Sequence, residues 1–93
     1  MTQTLLDPHA VQEGLTRLTG WTLNGNQIEK TVERPDFVQA MGFVTSVALL
    51  AQAQDHHPDI DIRWNTVKLV LSTHSAGGLT AKDFSLAQDI DAL

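Results

Sequence analysis

Ninety-three residues allow one domain, spanning residues 1–93, and a chain that short buries a limited share of its surface and leans on subunit contacts. Net charge is −5, from 6 basic and 11 acidic residues, with no basic run or aromatic-interleaved patch, which argues against direct binding of nucleic acid. A hydrophobic share of 42% is enough for a packed core, and the lack of cysteine removes disulfides and thiolate metal sites and suits the cytoplasm.

From Met1 to His9 no basic region precedes a long apolar run, so no secretory signal is expected. Residues 7–19 read as an amphipathic helix, with Asp7 as cap, Pro8 at the first position and Val11, Leu15 and Leu18 at helical spacing. Gly20 stops it. Trp21 to Leu23 and Ile28 to Val32 read as two strands around Asn24-Gly25-Asn26, because Asn-Gly supplies the positive φ of tight hairpins.

The strongest helix follows, with Pro35 as its first residue and Asp36 as a favourable early charge. Phe37, Ala40, Met41, Val44, Val47, Ala48 and Ala51 form its core-facing stripe. Phe43, Leu49 and Leu50 fall off that stripe, and this second apolar face calls for another subunit to cover it. Polar residues interrupt the helix, so it is not read as a membrane span.

The helix ends near Asp55. Ile60, Ile62 and Trp64 then alternate with Asp59, Asp61 and Arg63 as one half-buried strand. Val67, Leu69, Leu71 and Thr73 form a second, which runs on to His74 after a turn at Asn65-Thr66. Pairing these two strands as a hairpin returns His74 to the neighbourhood of Pro58. After Gly77-Gly78, Thr80 caps a last helix, with Asp83 completing a capping box and Leu79 and Phe84 at staple spacing. The order α-β-β-α-β-β-α fits an α+β fold, a four-stranded antiparallel sheet with three helices packed on one face.

Three of the four histidines lie in Asp55-His56-His57-Pro58-Asp59 and Ser72-Thr73-His74. Histidine titrates near neutrality, so His56, His57 and His74 can both donate and accept protons at cellular pH. Pro58 holds the adjacent pair in a non-helical geometry. Acid–base catalysis on a small molecule is one reading, with Asp55 and Asp59 orienting the rings and Ser72 and Thr73 meeting a heterocycle's polar edge. A zinc site is another, disfavoured because adjacent residues of an extended chain point to opposite faces. Histidines that merely stabilise a helix exit are the third. His9 reads as solvated and Asp83 as a capping residue.

At these residues the chain resembles the pterin-4a-carbinolamine dehydratases. The matching pieces are Asp55-His56-His57-Pro58, Trp64-Asn65-Thr66-Val67, Leu71-Ser72-Thr73-His74, Gly78-Leu79-Thr80 with Asp83, and Leu86-Ala87. Gly20-Trp21 and Met41-Gly42-Phe43 also match. The resemblance implies dehydration of 4a-hydroxytetrahydropterin to the quinonoid dihydropterin, with no metal or organic cofactor. His56, His57 and His74 would then be catalytic, and Asp55, Pro58, Ser72 and Thr73 would bind the pterin. It also implies a homodimer or homotetramer joined through sheet edges and the long helix. Where the family usually carries Glu, four residues before the first histidine, this chain has Gln52. A non-catalytic assembly or transcriptional regulatory factor built on the same domain is the alternative.

Overall fold

The computed structural model describes residues 4–93. Met1 to Gln3, part of the stretch read above for a leader, lie outside the described residues. The elements are α1 (Pro8–Leu15), β1 (Thr22–Asn24), β2 (Gln27–Glu33), α2 (Phe37–Gln54), β3 (Asp59–Arg63), β4 (Thr66–Leu71), a 3-10 turn (His74–Ala76) and α3 (Ala81–Asp91). The α+β order is as expected. The strands form one antiparallel sheet in the order β1-β2-β4-β3.

The core follows from strand alternation. Ile28 and Val32 of β2 and Val67, Leu69 and Leu71 of β4 are buried on one face. The helices cover that face with Val11 from α1, Val47 and Ala51 from α2, and Leu86 and Ile90 from α3. Each fully buried aliphatic side chain contributes about 1.5–3 kcal/mol, so this layer holds the fold together. Gly14 lets α1 approach α3 closely, since a Cβ there would lie 2.7 Å from the Phe84 ring.

Several boundaries differ from expectation. α1 ends at Leu15, and Arg17 and Leu18 continue it only as three-residue turns, their N–H groups donating to Gly14 and Leu15. Asp36, not Pro35, sets the start of α2. Its backbone is extended and its carboxylate accepts from Gln39 N–H at 2.8 Å, which places Pro35 ahead of the cap.

The buried stripe of α2 is Ala40, Phe43, Val47 and Ala51, while Phe37 and Met41 are exposed. This helix is apolar almost all round and carries no Asp, Glu, Lys or Arg, so periodicity alone could not select between two stripes of equal spacing. By length and composition it is also apolar enough to cross a membrane, a test that the core helix of a folded domain passes too.

Two further corrections fall on the second hairpin. β3 stops at Arg63 and the chain turns at Trp64-Asn65, with Trp64 left-handed at φ 51 and 69% exposed. β4 stops at Leu71. Thr73 makes an isolated bridge to Gly78, and its carbonyl accepts from the N–H groups of Ala76, Gly77 and Gly78, which closes the tight turn on which His74 sits.

Candidate active site

Register brings the histidines together. Asp59 at the start of β3 pairs with Val70 near the end of β4, so the chain before β3 and the chain after β4 leave the sheet side by side. A pocket of about 240 Å³ between them is lined by Asp55, His56, His57, Ser72, Thr73, His74, Ser75 and Lys82. All three histidines named from the sequence line it, as do Asp55, Ser72 and Thr73. Pro58 is half-buried and does not. Ser75 and Lys82 are additions.

Each histidine is held differently. Helix α2 ends with Asp55 in the left-handed region (φ 49, ψ 44); its N–H donates to Gln52 and that of His56 to Ala51. This is the Schellman arrangement, usually closed by glycine. An L-residue there costs about 1–2 kcal/mol, and the turn aims His56 inward.

The His56 ring is 8% exposed and its Nε2 lies 2.6 Å from Asp83 Oδ1. A carboxylate oxygen only accepts, so Nε2 carries the proton and Nδ1 is left for a ligand. Asp83 is fully buried; its Oδ2 accepts from the Thr73 hydroxyl at 2.8 Å and from Thr80 N–H at 2.9 Å. Because the Thr73 proton goes to Asp83, the 2.8 Å contact between the two threonines must be donated by Thr80. Every link is then satisfied, as an interior polar network requires.

His57 is exposed. Its Nε2 donates to Gln52 Oε1 at 3.1 Å, an amide oxygen with no net charge. His74 is exposed too, at the head of the 3-10 turn, and its ring has no side-chain partner among the described residues. The three imidazoles therefore differ: one on a buried carboxylate, one on a neutral amide, one unpartnered.

Asp83 was read from the sequence as a cap. It is one, completing the capping box of α3, but the same carboxylate also anchors His56. The available sign was its shape. A capping box normally carries Glu or Gln, and the shorter Asp holds its carboxylate close to the backbone, where a second partner can reach it. Among the described residues, no three His, Asp or Glu side chains converge as a metal site would need.

Comparison with known proteins gives the family and the fold. Residues 4–93 match the family model described as pterin 4 alpha carbinolamine dehydratase. The chain belongs to that family. It is 57% identical over 89 residues to a protein of Roseiflexus castenholzii named "Putative pterin-4-alpha-carbinolamine dehydratase", covering 96% of both chains. It is 48% identical over 93 residues to a protein of the same name from Nocardia farcinica, covering 100% of this chain and 98% of that one.

Among solved structures, it superposes on a transcriptional coactivator/pterin dehydratase from Brucella melitensis with TM-score 0.91 at 34% identity, covering 96% and 97% of the two chains. A pterin dehydratase-like protein identified as a RuBisCO assembly factor in the alpha-carboxysome shares the fold, with TM-score 0.68 at 20% identity over 82% of this chain and 90% of that one. The pterin dehydratase family thus shares the sheet–helix scaffold described here.

Proposed function

We propose that this protein dehydrates 4a-hydroxytetrahydropterin to quinonoid dihydropterin by histidine acid–base catalysis, with no metal or organic cofactor. The reaction breaks the C4a–O bond and forms C4a=N5. The hydroxyl leaves as water with a proton taken from an acid, and a base removes the N5 proton. Two groups in opposite protonation states must therefore face one substrate.

The buried His56–Asp83 pair carries this reading. Asp83 accepts from Nε2–H and offsets the charge of a doubly protonated His56 ring, whose Nδ1–H is then the proton given to the departing hydroxyl. His57, held by the neutral Gln52 amide, suits the base. His74, Asp55, Ser72 and Thr73 complete the wall against the ring's polar edge. Proton transfer by a positioned side chain contributes about 10²–10⁴-fold.

We also propose that the protein works as a homodimer or homotetramer. Phe37, Val38, Met41 and Leu49 of α2 are exposed at 50, 76, 38 and 69%, and β3 is an open sheet edge carrying Ile60. An apolar helix face beside an unpaired strand is the kind of surface a subunit covers.

The test follows dehydration of freshly generated 4a-hydroxytetrahydropterin with wild type, His56→Ala and His57→Ala. Wild type should exceed the uncatalysed rate, each variant should fall by about 10²-fold or more, and a chelator should change nothing. A wild-type rate equal to the uncatalysed one would move the assignment to the assembly or regulatory role.

A further inference from the structure

The six lysines and arginines of this acidic chain are not used alike. Arg17 pairs with Glu13, Lys30 with Asp91, Arg63 with Asp61 and Lys68 with Glu29. Arg34 lies over the Phe43 ring, 4.5 Å from its centroid. Lys82 is the sixth. Among the described residues no carboxylate pairs with it, not even Asp55 in the same wall, and it lines the histidine pocket. Among the described residues, the one lysine or arginine with neither a carboxylate nor a ring partner therefore lines the pocket where a ligand would be.

Size says which part of the ligand it meets. The pocket's 240 Å³ lies under the roughly 300–1,000 Å³ of sites that enclose a whole drug-sized ligand. A bicyclic ring fills it, and the ring's C6 substituent stays outside. Lys82 is exposed, in the first turn of α3, one residue before the buried Asp83. An exposed residue of the lining stands on the solvent side of the pocket, where a substituent left outside would pass. The pterin ring is neutral near pH 7, so a full positive charge there is matched only by an anionic substituent.

We propose that Lys82 is a specificity residue and that the preferred pterin carries an anion, phosphate or carboxylate, on its C6 side chain. The inference rests on the pterin reading of the pocket, and binding can be measured apart from turnover. Titration calorimetry would compare a stable oxidised pterin bearing a neutral hydroxyalkyl side chain with its phosphorylated form and with one ending in a carboxylate. At low salt an anionic form should bind about two- to fivefold more tightly than the neutral one, the range of one partly exposed charge pair. The preference should shrink in 1 M salt. Whichever anion gains more identifies the side chain.

Lys82→Met should bring the forms to parity and Lys82→Arg should keep the preference. Lys68→Met, which removes the same charge from the outer face of the sheet, should also keep it. Equal affinity for all three in wild type, no binding of the anionic forms, or loss of the preference in Lys68→Met would each overturn the proposal. Dehydration with equal affinities would sink only the anion subsite. An anion preference without dehydration would sink only the catalytic reading.

Discussion

Helix α3 carries three carboxylates, and the two nearest its ends, Asp83 and Asp91, show how the partner sets what an acid can do. Asp83 in the first turn accepts from His56, Thr73 and Thr80. Asp91, about 12 Å further along, accepts from Thr19 N–H and Trp21 Nε1, both at 2.9 Å, and from Lys30 Nζ at 2.7 Å. Both are satisfied by three donors, and both tie α3 to distant parts of the chain. The partners differ. An indole N–H does not titrate and a lysine stays charged across physiological pH, so Asp91 can only hold. An imidazole can lose and regain a proton, and the one on Asp83 has its other nitrogen free in a pocket. Hydrogen-bond number does not distinguish the two sites; the chemistry of the donor does.

The sharpest way to break that contrast is a pair of isosteric changes. Asp83→Asn keeps the shape but removes the charge that holds the His56 proton, and dehydration should fall by about 10²-fold or more. Asp91→Asn should leave the rate per folded molecule unchanged. Equal rates in the two variants would end the comparison.

Truncation asks about stability instead. Asp83→Ala leaves a ring N–H, a hydroxyl and a backbone N–H unpaired in the interior, and urea unfolding should show a loss of about 3–5 kcal/mol. Asp91→Ala opens a pair whose side chains are only 18% and 14% exposed, and should cost about 2 kcal/mol. The smaller loss reflects the water that can reach Lys30 once its partner is gone.

Acid tests the Asp91 site by itself. Burial pushes the Asp91 carboxyl up, but the Lys30 ammonium, Thr19 N–H and Trp21 N–H together outweigh it and hold the group below its ordinary 3.8. A folded value below the unfolded one means that the unfolded chain binds more protons as pH falls. The stability Asp91 supplies is therefore complete above the unfolded value and drains away as pH drops through the folded one. The urea midpoint of wild type should fall more steeply between pH 5 and 3 than that of Asp91→Asn, whose amide does not titrate.

Much of this was legible in the sequence, for identifiable reasons. Strand alternation, the Asn-Gly turn and the Thr80 cap are local, so the order of elements and the return of His74 to His56 and His57 could be read directly. Features set by competition between local preferences could not. Asp36 and Pro35 both propose a helix start, and two apolar stripes of equal spacing share α2. The Thr73 carbonyl ends β4 early by gathering three N–H groups that lie beyond it. Asp83 and Lys82 were hidden for a different reason. Capping already explained Asp83, nothing in the local pattern marked Lys82, and only the fold brings Asp83 onto His56 and Lys82 into the lining of the histidine pocket. Shape alone would have misled as well: a larger cleft of about 310 Å³, lined by Leu5, Leu6, Leu23 and Leu79, holds no titratable side chain.

The smallest expected effect bears on His57, the weakly held member of the pair. Gln52 fixes its tautomer through a neutral oxygen 3.1 Å away, where the resembled family usually places Glu. Gln52→Glu would put a negative charge against an exposed imidazole, and such pairs are worth about 0.2–1 kcal/mol. A carboxylate favours the protonated ring. If His57 is the base, the acidic limb of kcat/KM should move to higher pH by about half a unit, with the rate rising only above that limb. A basic limb that moves to higher pH while the acidic limb stays in place would give His57 the donor's role and return the base to another wall of the pocket.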